Sequence, residues 1–122
     1  MTEIQNKKQY DLEDRTLEFA KQVRIFIKKL FKTMSNIEDG KQVVRSSGSV
    51  GANYIEANES LSKKDFLMRI KISRKEAKES MFWLNLIDCG NNQEFETQRD
   101  ALLKEVRELM NIFGSIIRKS EH

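Results

Sequence analysis

A chain of 122 residues with no proline and only five glycines lacks the two strongest interrupters of helices, so its fold is limited chiefly by where apolar side chains recur. They recur at helical spacing. From about residue 14 to 34, Phe19, Ala20, Val23, Phe26, Ile27, Leu30, Phe31 and Met34 follow one another at short helical intervals and form a single wide stripe. Asp11 and Asp14 precede it as candidate N-caps, and Ser35-Asn36 followed by Asp39-Gly40 reads as the break before the next helix.

A second helix, about 40–61, carries Val43, Val44, Ser47, Val50, Gly51, Tyr54, Ile55, Asn58 and Leu61 on one face. Its middle, SSGSVGAN, is small and of low helix propensity, each glycine costing up to about 1 kcal/mol. Two readings stand for residues 44–56: a loop between two short helices, or a continuous helix whose small side chains let a neighbour come close. The apolar spacing runs on through the segment and favours the helix. A third helix, about 62–88, spaces Phe66, Ile70, Ser73, Ala77, Ser80, Leu84 and Ile87 alternately by four and three, a heptad seam capped by Ser62 and stopped at Cys89-Gly90-Asn91-Asn92. The fourth, about 94–119, repeats the spacing with Leu102, Val106, Leu109, Phe113 and Ile116. Four amphipathic helices with short connections predict an all-α, antiparallel up-down four-helix bundle, one domain over residues 1–122.

Several classes of chemistry find no support. The one histidine, His122, is the last residue and the one cysteine is Cys89, so neither a Ser-His or Cys-His nucleophile nor a closed transition-metal site is expected. Carboxylate pairs occur as Glu56 with Glu59, Glu76 with Glu79 and Glu105 with Glu108, each a helix-face neighbour with Lys75, Lys78, Lys104 or Arg107 close enough in sequence to neutralise some of them. No catalytic residue, metal or cofactor is therefore assigned, and the chain is read as a non-enzyme. No apolar run approaches the roughly 20 residues of a membrane span, and a lone cysteine with a polar start suits the cytoplasm.

Charge is unevenly spread. Residues 1–78 hold 17 basic and 11 acidic side chains, a net of +6, whereas residues 79–122 hold 5 and 8, a net of −3. With 100° per residue, Lys64, Lys71, Lys75 and Lys78 gather on the face of the third helix opposite its seam, and Lys21, Arg24, Lys28 and Lys32 form a similar row on the first. Either row alone could serve solubility. Together, with Phe82 beside one of them, they make candidate contacts for RNA or DNA, since ammonium groups replace counterions and an exposed ring stacks on a base. Ile72, Phe82, Trp83 and Leu86 lie off the seam and equally suit a self-association surface or a protein partner.

The central run SSGSVGANYIEANESLSKKDFLMRIKISRKEAKESMFWLNLI resembles the middle of the bacterial four-helix-bundle proteins related to the rRNA intervening-sequence proteins. Ala52-Asn53, Ser62 with Asp65-Phe66, and Glu79 carry the likeness, while Glu56-Ala57-Asn58 and Lys75-Glu76 depart from the commoner pattern. The resemblance implies ring-shaped homopentamers without known catalytic activity. It also implies kinship with accessory subunits of diversity-generating retroelements, in which a basic ring engages a reverse transcriptase and RNA. Self-association as a pentamer and nucleic-acid binding are the expectations, with a protein-protein adaptor as the alternative.

Overall fold

The computed structural model describes residues 2–121, with side chains from Leu12 to Glu121; His122 lies outside the described residues. Four helices account for nearly all of it: α1 Thr2–Lys29, α2 Met34–Asn58, α3 Lys63–Leu86 and α4 Gln93–Ser120. There is no strand among the described residues. Each helix packs along the next in the chain and α4 returns to α1, whereas the backbones of the diagonal pairs α1/α3 and α2/α4 do not approach each other closely. Residues high on one helix meet residues low on the next, as in Thr16 beside Gly51, Ser46 with Ser80 and Phe26 with Phe95. The architecture is an antiparallel four-helix bundle.

The core follows the inward stripes. Val23, Val43, Ile70, Leu84, Val106 and Phe113 are wholly inaccessible to water, and burying such a side chain stabilises the fold by roughly 1.5–3 kcal/mol. Tyr54 packs its ring 6.0 Å from that of Phe113, tying α2 to α4 across the centre. The α2/α3 pair is the most extensively packed. Its facing positions are small: Ser46 and Ser47 on α2, Ser73, Ala77 and Ser80 on α3, all buried. The segment SSGSVGAN is continuous helix, and its small side chains do admit a close neighbour. Ser73 Oγ donates to the Val50 carbonyl at 2.9 Å, and the hydroxyls of Ser46 and Ser80 lie 2.8 Å apart. On the α1 side a Cβ at Gly51 would stand 2.8 Å from Thr16 Oγ1, so only glycine lets α1 come this near.

Helix ends depart from the sequence reading in three places. α1 begins at Thr2 and runs through Asp11 and Asp14, because nothing in that stretch interrupts a helix; neither aspartate is a cap. The first break falls at residues 30–33, where Thr33 Oγ1 accepts the Asn36 N–H at 3.2 Å and starts α2. Ser35-Asn36 and Asp39-Gly40 therefore lie inside α2, and Gly40 packs under Ile27. Phe31 and Met34, read as members of the inward stripe, are exposed. α2 ends at Asn58, which leaves Leu61 in the loop and fully exposed, and its inward face is turned toward α3, so that Ser46 and Ala57 are buried while Ile55 is 49% exposed. The Ser62 cap holds, its hydroxyl accepting from Asp65 N–H at 3.1 Å. The stop at residues 89–92 also holds, with Gly90 and Asn91 both left-handed at φ of 62° and 59°.

Candidate nucleic-acid and assembly faces

All eight candidate cations are exposed: Lys21, Arg24, Lys28, Lys32, Lys64, Lys71, Lys75 and Lys78. The fold does not bring the two rows together. One row stands on α1 and at the start of the α1–α2 loop, the other on α3, and these helices occupy diagonal corners of the bundle. A single chain thus offers two separate basic strips. Lys71 Nζ is 3.2 Å from a Glu121 carboxylate oxygen, an exposed pair that salt screens and that leaves most of the row free to meet solvent.

The four apolar candidates on α3 divide in two. Phe82 and Leu86 are 58% and 50% exposed, whereas Ile72 and Trp83 are half-buried. Phe82 stands edge-on to Trp83 with ring centroids 5.0 Å apart, so one ring braces the other. The Trp83 indole nitrogen is buried without a hydrogen-bond partner in the single chain. By their angles about the helix axis, Phe82 lies on the lysine side of α3, Ile72 and Trp83 turn toward the α2 side, and Leu86 stands at the border between the two.

Two of the three carboxylate pairs are neutralised by arginines across helices. Arg15 reaches from α1 to both Glu105 and Glu108 on α4, at 2.7 and 3.2 Å. Arg45 on α2 is ion-paired with both Glu76, at 3.4 Å, and Glu79 on α3. These two arginines went unseen in the sequence because their partners lie more than thirty positions away, beyond any local spacing rule. The Glu76 carboxyl is raised above its ordinary range: burial disfavours its charge, hydrogen bonding with Glu79 adds to this, and Arg45 opposes it. No histidine, cysteine or hydroxyl nucleophile is held against it among the described contacts. Among the described residues no group of three or more His, Cys, Asp or Glu side chains could hold a metal ion, and no helix is long and apolar enough to cross a membrane.

A further apolar strip was missed. Between α1 and α2, Leu17 and Ile55 are each about half exposed along a groove floored by Ala20, Gly48 and Gly51 and edged by Lys21 and Arg24, and Ile37, also about half exposed, lines a second hollow with Ile27, Gly40 and Val44. The signal was present as a second seam on α2, in which Ile37, Lys41, Val44, Gly48, Gly51 and Ile55 are spaced by four and three.

Known proteins share this arrangement of helices. The model of the 23S rRNA-intervening sequence protein family matches residues 8–115. Among solved structures, the chain is similar to a protein of unknown function from the S23 ribosomal protein family of Bacteroides thetaiotaomicron, with a TM-score of 0.71 and 31% identity over 87% of this chain and 97% of that one. No curated protein matches the chain.

Proposed function

The chain belongs to the 23S rRNA-intervening sequence protein family, and from that premise we propose that it is a non-enzymatic, self-assembling helical bundle, pentameric and cytoplasmic, that presents lysine-rich faces to RNA or DNA. The observation that carries this reading is the outer face of α3. Lys64, Lys71, Lys75 and Lys78 stand exposed along it with the Phe82 ring at its end, a strip that can follow a phosphate backbone and stack one base. One such strip is weak. Repeated around an assembly, several strips engage one nucleic acid together, and avidity raises affinity without any new contact.

Large apolar side chains left in water support the self-assembling part of the reading, since a monomer gains nothing by exposing Leu17, Ile55, Phe82 and Leu86 together. The test is a salt series of RNA and DNA binding for the natural chain and for a variant with Lys71, Lys75 and Lys78 changed to glutamine. Each lost phosphate contact flattens the slope of log affinity against log salt by about 0.7 for single strands and about 0.9 for duplex DNA. A shallower slope with unchanged molecular mass is the expected result. Absence of binding at low salt, or binding indifferent to the substitutions, would put a protein-protein adaptor in its place.

A further inference from the structure

Two neighbouring sides of the bundle carry matching patterns of opposite charge. Helix angles at 100° per residue turn Leu17, Lys21 and Arg24 of α1 and Ile37, Val44 and Ile55 of α2 onto the α1/α2 side. Along the bundle axis this side reads apolar, basic, apolar. Leu17 and Ile55 stand at one end, near the level where Thr16 meets Gly51; Lys21 and Arg24 stand in the middle, Arg24 beside Gly48; Val44 and Ile37 stand toward the other end, where Ile27 covers Gly40, with the exposed Lys41 between them.

The α2/α3 side reads apolar, acidic, apolar at the same levels, which α2 itself indexes because it borders both sides. Met68 and Ile72 lie where Arg69 bonds Asn53 and Ser73 bonds Val50. Glu76 and Glu79 lie where both meet Arg45. Trp83 and Leu86 lie beyond the Ser46–Ser80 contact. Arg45 offsets one of the two central carboxylates and leaves one negative charge there, while Glu56 of α2 and Arg69 of α3 stand toward the Met68 end. Neither Lys21 nor Lys28 has an ion-pair partner among the described residues, and the Arg24 guanidinium donates only to the Ala20 carbonyl of its own helix.

We infer that these two sides are the halves of one head-to-tail interface, the α1/α2 side of each copy seating on the α2/α3 side of the next, with Lys21 and Arg24 facing Glu76 and Glu79 between two apolar contacts. The pairing rests on the self-assembly proposed above and names its partner surface. Because the two halves are different surfaces of the same chain, the contact is heterologous and repeats until it closes. Because the levels match, the copies repeat without an axial step, so closure gives a ring and no helical filament. Adjacent sides of a four-helix bundle meet at about a right angle, which closes the ring at about four to five copies. α2 then lies toward the ring axis and the lysine strip of α3 lies outside. The two basic rows thereby acquire different work: the α1 row joins copies, and the α3 row is the one left to meet phosphate.

The test is molecular mass by light scattering, on variants whose folding is checked by helical circular dichroism. Lys21→Glu with Arg24→Glu reverses the basic half, and Glu56→Lys with Glu79→Lys reverses the acidic half; Lys21, Arg24 and Glu56 are exposed, and Glu79 is half-buried beside Arg45, outside the apolar core. Each variant alone is expected to lose the higher mass. Mixing the two is expected to recover association in alternating order, because the natural half of each meets the natural half of the other and the two reversed halves also complement; alternation closes only at an even number of copies, so mixed species of two or four copies count as recovery. Higher mass in the natural chain that survives both reversals would overturn the interface while leaving self-assembly standing. Loss in each variant without recovery on mixing would overturn the pairing of these two sides. A natural chain that is monomeric at micromolar concentration would overturn the interface and the self-assembly together. The Lys71, Lys75 and Lys78 variant, by contrast, should keep its mass.

Discussion

The side-chain amide of Asn36 makes a two-way hydrogen bond with the backbone of Asp88: Nδ2 donates to the Asp88 carbonyl at 2.9 Å while Oδ1 accepts the Asp88 N–H at 3.0 Å. The same Nδ2 donates to the Phe31 carbonyl at 3.1 Å, so one buried side chain pins the α3–α4 loop against the α1–α2 loop. Asn36→Ala leaves the Asp88 N–H and carbonyl without their partner, while the Phe31 carbonyl keeps the Thr33 N–H, and should cost about 1–3 kcal/mol in denaturant unfolding. Asn36→Asp should cost more than alanine at neutral pH, where a carboxylate faces two carbonyls, and the gap should narrow on acidification. Equal losses at all pH values would show that the amide hydrogens do not matter.

At the α2/α3 contact, the buried hydroxyls of Ser46 and Ser80 share a hydrogen bond between the helices, and Ser80 Oγ also donates to the Glu76 carbonyl of its own helix at 2.9 Å. Removing either hydroxyl takes away the same bond between helices and leaves the other only the backbone carbonyl of its own helix, whereas removing both leaves a small apolar contact of the same shape. Ser46→Ala should destabilise the chain by about 1 kcal/mol, and Ser46→Ala with Ser80→Ala should be closer to the natural chain than the sum of the single changes. A double-mutant cycle in urea measures the coupling. Strict additivity would mean that the hydroxyls act independently.

The heptad seams of α3 and α4 were legible because spacing alone places Ile70, Ala77, Leu84, Val106 and Phe113 on one side, and the structure buries all five. Ser62 and the Cys89-Gly90-Asn91-Asn92 stop were legible because cap and left-handed positions have their own residue chemistry. The α1–α2 junction was not. Asp39-Gly40 has the composition of a turn, yet Gly40 is in mid-helix because Ile27 needs the room. Nor does hydropathy say that Ser46 is buried and Ile55 exposed: that rotation is fixed by Ser80, whose position relative to Ser46 exists only in the fold. On the surface, angular position foretold that Phe82 and Leu86 would face out. That the two lysine rows sit on opposite corners, and that acid and base alternate between neighbouring sides, depends on the order of helices around the bundle.

Glu76 gives the chain a measurable pH dependence. Its carboxyl is raised in the folded state, mainly by burial, so the folded chain holds that proton more tightly than the unfolded chain does. Its contribution to stability is therefore fully present below the ordinary carboxylate range and is lost as pH rises through its higher folded value. Glu76→Gln removes the titration. Relative to the natural chain, the variant should gain stability as pH rises from the carboxylate range toward neutrality, in urea unfolding run as a pH series. A variant that loses ground over that interval would mean that the Arg45 ion pair outweighs burial at this position.

Cys89 reports on the loop that Asn36 holds. The thiol is buried, and burial pushes its ionisation above the ordinary range, with the Arg99 charge opposing and the Glu96, Asp88 and Asp100 charges reinforcing the shift. A thiol reagent attacks only the thiolate and only when it can reach the sulfur, so in the native chain the reaction waits for residues 87–92 to open. Labelling with a chromogenic disulfide reagent at mildly alkaline pH should be slow in the folded chain and fast in denaturant. Asn36→Ala releases the neighbouring Asp88 backbone and should speed native labelling, by about tenfold for each 1.4 kcal/mol by which it eases local opening. Ser46→Ala lies away from this loop and should speed labelling only as far as it lowers global stability. If both substitutions accelerate labelling equally at equal loss of stability, the thiol is reached by global unfolding, and Asn36 has no local hold on the loop.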